Sequence, residues 1–100
     1  MFQVIRITGD SLSPQFYQGD FVVISKIPFL LNSLQAGDVI VFQQPIYGRL
    51  IKRIEQVSPG GGAYFVTGTD EFSVDSRRFG LVDRQQVIGK VIWHIRGTRN

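Results

Sequence analysis

Cysteine is absent from the 100 residues, and histidine occurs once, as His94. The first absence excludes disulfides, thiolate metal sites and a cysteine nucleophile. The second excludes a metal centre built from several histidines. It leaves His94 as the sole imidazole for any Ser-His-Asp arrangement. No metal and no other cofactor is expected. Long apolar runs are missing too. None approaches the ~20 residues of a membrane-spanning helix, and the most apolar loop-like piece, IPFLLNSL, is far too short. No basic, apolar leader is apparent, so the chain reads as soluble as it stands, with a cytoplasmic or membrane-peripheral placement. Eleven Lys and Arg against eight Asp and Glu give a net charge of +3. These cations are scattered rather than gathered into a patch or arm, so no nucleic-acid partner is expected.

What the chain does have is short β-rich runs punctuated by glycine. FQVIRI (2–7), DFVVISKI (20–27), DVIVFQ (38–43), RLIKRIEQV (49–57), AYFVTG (63–68) and QQVIGKVIWHI (85–95) are dominated by β-branched and aromatic residues. Convincing helical periodicity is scarce; SPQFY and FLLNSLQ could each form a turn or two. SPGGG reads as a hairpin loop and no linker divides the chain. The expectation is one all-β domain over residues 1–100, with coiled antiparallel sheets forming a partly open barrel. QGDFVVI and AGDVIVF echo each other, both running Gly-Asp into an apolar strand. The tail RGTRN is expected to fray.

Three stretches carry candidate chemistry. In RLIKRIEQV, side chains alternate faces. Leu50, Lys52 and Ile54 share one, and Ile51, Arg53 and Glu55 the other. A lysine held among aliphatic neighbours loses hydration of its ammonium form, its pKa falls, and the neutral amine can accept a proton. The bland alternative is a lysine whose ammonium reaches water past a half-buried strand. In GDSLSP, Ser11 sits in a bend stiffened by Pro14. It is either a nucleophile or a capping or turn serine. A serine needs a base; His94 and Lys52 are the two candidates, and no acid near His94 in sequence would orient it. In TGTDEFSVDSRRFG, Asp75 and Arg77 could pair to fix the loop, and Ser73 could hydrogen-bond an amine. The alternative is a polar surface loop.

Together these pieces resemble the type I signal peptidase family and, more broadly, the Ser-Lys clan that includes LexA-like self-cleaving repressors. GDSLSPQF resembles the nucleophile box and points to Ser11. AGDVIVF resembles the Gly-Asp-strand box, at Gly37 and Asp38. LIKRIEQV resembles the base box, at Lys52 and Arg53. GTDEFSVDSRRFGLV resembles the box that carries Ser73, Asp75, Ser76 and Arg77, and VIGKVIWHI resembles the strand closing the catalytic core. There are departures. Leu12 stands where methionine is usual, and the fourth box is one residue short between Gly68 and Ser73. Gly9 occupies the place where some relatives carry a serine that donates to the oxyanion. The family's membrane anchor has no counterpart, and its inserted β-domain is reduced to SPGGG.

The resemblance implies a serine endopeptidase that removes a signal- or pro-peptide from a precursor. Lys52 would be the base for Ser11, and the Ser11 N–H would help hold the oxyanion. Ser73 would orient the amine, with Asp75, Arg77 and Arg53 in support. The implied partner is an extended peptide segment, with a membrane-associated protein as a further candidate. Two alternatives are a self-cleaving repressor domain and an inactive β-domain that binds peptides or proteins.

Overall fold

The computed structural model describes residues 2–7, 19–27, 31, 33–68 and 74–97. Ser11, Ser73, the turn anticipated at SPQFY, the apolar residues 28–30 and the tail 98–100 lie outside the described residues.

Seven strands follow in order: β1 (Phe2–Arg6), β2 (Phe21–Ser25), β3 (Val39–Gln44), β4 (Gly48–Val57), β5 (Ala63–Thr67), β6 (Val82–Asp83) and β7 (Val87–Ile95). They form one sheet in the order β1-β2-β7-β3-β4-β5-β6, and every pairing is antiparallel. The all-β expectation holds. The sheet is open, with β1 and β6 at its edges, and does not close into a barrel. The last strand is inserted between the second and third, so it staples the amino-terminal hairpin to the rest. A short helix α1 (Ser76–Phe79) and a 3-10 turn (Arg84–Gln86) interrupt the strands. Sequence reading took the first of these as loop.

Alternation along each strand divides the apolar side chains between two clusters. Ile5, Ile7, Val22, Ile24, Val39 and Val41 form one, with Ile51, Ile88 and Val91 against it. Leu34, Ile40, Phe42, Ile54, Tyr64, Val66 and Val82 form the other, with Leu31, Leu50 and Val57 at its margin. β3 contributes to both, which is why its VIVF run is continuously apolar rather than alternating. The outer face of β1, β2 and β7 carries a third apolar set that stays exposed. Val4 is opposite Val23, which is opposite Trp93; Phe21 is opposite Ile95.

The Gly-Asp echo has a structural counterpart. Gly19 and Gly37 both adopt positive φ, 92° and 96°, a region other residues enter at a cost. Each turns the chain into the strand that follows. Asp38 closes its turn by accepting from the Gln35 N–H at 3.0 Å. That turn is also tied to β4: the Gly37 N–H donates to the Ile54 carbonyl and the Ile54 N–H to the Asp38 carbonyl. The Gly-Asp box therefore braces β4 two residues beyond Lys52, beside an irregularity in the β4–β5 register.

Candidate active site

Lys52 occupies the middle of β4 and is 2% exposed. Its cross-strand partner on β3 is the fully buried Ile40. Leu50 and Ile54, on the same face, belong with the second core cluster. The side chain thus enters the apolar interior. Among the described residues, none forms a hydrogen bond or close ion pair with its amine. Burial pushes the Lys52 pKa below its ordinary value of 10.5. The Asp75 carboxylate partly opposes this, and the Arg77 guanidinium adds to it.

Asp75 is fully buried and forms the N-cap of α1. Its Oδ1 accepts from the Arg77 backbone N–H at 3.0 Å and from Arg77 Nε at 2.9 Å. Its Oδ2 accepts from Arg77 Nη2 at 2.7 Å and from the Gly68 N–H at 3.0 Å. Burial alone would raise the Asp75 pKa. The hydrogen bonds from Arg77 and Gly68 outweigh it, and the carboxyl lies below its ordinary value of 3.8. Gly68 and Asp75 flank residues 69–73, so one carboxylate clamps both ends of the segment that contains Ser73. The neighbouring Ser76 Oγ accepts from the Val66 N–H at 2.9 Å and docks α1 onto β5. Arg53 lies on the opposite face of β4 from Lys52, half-buried, across from Val39 and Thr67.

Ser11 lies outside the described residues, but the base of its segment is fixed. The Ile7 N–H donates to the Asp20 carbonyl at 2.7 Å, and the Gly19 N–H to the Ile7 carbonyl at 2.9 Å. The buried Asp20 carboxylate then reaches across to the end of β7. Its Oδ2 lies 2.6 Å from His94 Nε2, and its Oδ1 accepts from the Gly97 N–H at 2.9 Å. This partner of His94 is not legible in the sequence, because Asp20 is 74 positions away. Asp20→Ala removes a fully buried carboxylate that accepts from the Gly97 N–H and meets His94 Nε2. It is expected to cost about 2–4 kcal/mol of stability, measured by urea unfolding. A change below about 0.5 kcal/mol, the usual range for surface substitutions, would show that the carboxylate does not hold the segment.

A cavity of about 300 Å³ opens between β1 and β4, lined by Ile5, Arg6 and Ile7 on one side and Arg49, Leu50 and Ile51 on the other, with Val41 and Tyr47. Ile51 lines it, and Lys52, the next residue of β4, takes the opposite face. Among the described residues both bordering strands have an unpaired edge. β1 ends the sheet, and β5 pairs with β4 only over Arg53–Val57, leaving Gly48–Lys52 with β3 as its one described strand neighbour. Tyr47 is held at the cavity by the β3–β4 hairpin, where Gln44 Oε1 accepts from the Ile46 and Tyr47 N–H groups at 2.6 and 2.7 Å.

A buried lysine with no hydrogen-bonded or ion-paired partner among the described residues, on a strand that borders a cleft, suits proton abstraction beside a bound extended chain. The sequence pattern of the signal peptidase family, peptidase S26, matches residues 1–61 and 56–95. The chain belongs to this family. Membership supports a protease function of the signal-peptidase kind. No curated protein matches the chain. Within this signal peptidase homologue, the supporting roles of Asp20 and Ser76 rest on contacts distant in sequence, whereas Gln44 bonds only its own hairpin. Asp20 had its place in the Gly-Asp echo as a sequence signal, and Ser76 its place in the fourth box.

Proposed function

We propose that the protein is a serine endopeptidase with a Ser11–Lys52 dyad that cleaves a signal- or pro-peptide from a precursor. The observation that carries this is the burial of Lys52 with no close partner among the described residues, which lowers its pKa and favours the neutral amine that can accept a proton. Lys52 takes the Ser11 proton as Ser11 Oγ attacks the scissile carbonyl. The Ser11 N–H donates to the oxyanion. The amine leaves with a proton from Lys52, an acyl-enzyme remains, and Lys52 then activates the water that hydrolyses it. Ser73 orients the amine, and the Asp75–Arg77 fork holds the ends of its loop. The substrate lies extended in the cleft, adding main-chain hydrogen bonds to the free edges of β1 and β4 and placing side chains in the aliphatic cavity.

A diverse peptide library incubated with the protein and read by mass spectrometry tests this. Cleavage is expected to rise with pH below the ordinary lysine value of 10.5 as Lys52 loses its proton, and to vanish in Ser11→Ala and Lys52→Ala. Cleavage that persists in both variants overturns the dyad. Unchanged peptide binding with no cleavage in the parent favours a binding domain instead.

A further inference from the structure

We infer that the cavity between β1 and β4 selects an extended peptide with an acidic side chain next to the one it buries, and that Arg6 and Arg49 are the specificity-determining residues. The inference deepens the protease reading and rests on it for the identity of the ligand as a peptide. The cavity walls are aliphatic, from Ile5, Ile7, Val41, Leu50 and Ile51. Each bordering strand also places one exposed arginine at the same cavity, Arg6 from β1 and Arg49 from β4, and among the described residues no acidic one lines it.

Neither arginine has an ion pair or hydrogen-bonded partner for its side chain among the described residues. Three ion pairs form elsewhere among the described residues. Arg77 pairs with Asp75 at 2.7 Å, Lys90 with Asp38 at 3.6 Å and His94 with Asp20 at 2.6 Å. Asp20, Asp38 and Asp75 are thus engaged away from the cavity. Two guanidiniums at one cleft repel each other, and a ligand carboxylate relieves that repulsion. The planar guanidinium fork also matches carboxylate geometry, which a lysine would not. Tyr47, held by Gln44 and packed against Phe79 with ring centroids 6.2 Å apart, adds a phenol at the same cavity. The open edges of β1 and β4 call for a ligand with backbone amides, so the carboxylate belongs to a peptide rather than to a lipid headgroup.

Peptides identical except for Glu, Gln or Lys on either side of a central small residue provide the test. The parent protein is expected to cleave the Glu peptide with a kcat/KM about fivefold above that for Gln, as two exposed charge pairs allow. The Lys peptide should be worst, and the differences should shrink in about 1 M salt. Arg6→Gln with Arg49→Gln should level the series, and Arg6→Glu with Arg49→Glu should invert it. Both side chains are exposed, and a thermal melt confirms folding of each variant. Equal cleavage of the Glu and Gln peptides by the parent overturns the inference while leaving the protease reading intact. If no peptide is cleaved in a Ser11-dependent way, the protease reading fails. Fluorescence anisotropy with the same peptides then decides. A Glu peptide bound tightest, with inversion in the double Glu variant, upholds the selectivity; equal or undetectable binding of all three overturns it.

Discussion

Lys52→Met is expected to produce a protein that is inactive and more stable than its parent. Methionine nearly matches lysine in length and flexibility, so it fills the space between Leu50 and Ile54 and opposite Ile40 without a cavity. It lacks the proton acceptor, and peptide cleavage should fall by at least about 10³-fold. It also removes the cost of placing an amine in the core, a gain of about 1 kcal/mol or more at neutral pH. The pH dependence gives an independent check. The folded-state pKa of Lys52 is below 10.5, its ordinary value. Between the two, the unfolded chain binds the extra proton, so parent stability rises with pH across that window. The variant has no such rise, and its advantage should narrow as pH approaches about 10. Chemical unfolding of both proteins across this range measures the difference. A variant less stable than the parent at neutral pH would mean that the ammonium has a compensating partner.

Asp75→Asn should be both less stable and shifted in its pH-activity profile. The carboxylate satisfies the Gly68 N–H and three donors of Arg77 with two oxygens. An amide offers one oxygen and turns two of its own N–H groups toward donors. The Gly68 N–H or the Arg77 fork is left facing another donor, at a cost of about 2–3 kcal/mol. Arg77 itself is 45% exposed and keeps water as a partner, so its share of the loss is small. The folded-state pKa of Asp75 is depressed, so its stabilisation is complete above 3.8 and disappears as pH falls through the lower folded-state value. That portion of acid sensitivity should be missing in the variant. The Asp75 charge also raises the pKa of Lys52 against the effect of burial. Its removal lowers that pKa further, and the rise of activity with pH should move to lower pH. A fall in kcat with no displacement of the profile would restrict Asp75 to holding the loop.

The strands were legible because β-branched and aromatic residues recur with period two between glycine turns, and this pattern needs no partner to be recognised. All six expected runs match observed strands to within two residues at each end. DFVVISKI (20–27) is trimmed to Phe21–Ser25, where the Ile27 N–H instead bonds the Ser25 hydroxyl. β6 has two residues and α1 four, too short for any periodic signal. Their existence depends on contacts: Asp75 capping α1, Ser76 bonding to Val66, and Tyr64 pairing with Val82.

The candidate site divides in the same way. The sequence by itself determined the β class, the apolar setting of Lys52 and the Asp75–Arg77 spacing that suits a local fork, since each depends on neighbours along one strand or one turn. It also carried the ordered boxes of the signal peptidase family. Only the tertiary structure decided how deep Lys52 lies, because that depends on Ile40 and the second cluster closing over it. It decided that His94 meets Asp20 and that the cleft forms between β1 and β4. β1 and β4 are separated by β2, β7 and β3 in the sheet order, and the long-range pairing of β7 between β2 and β3 links the two halves that bound the cleft. Local pattern sets which face a side chain takes; what covers that face is set by strands distant in sequence.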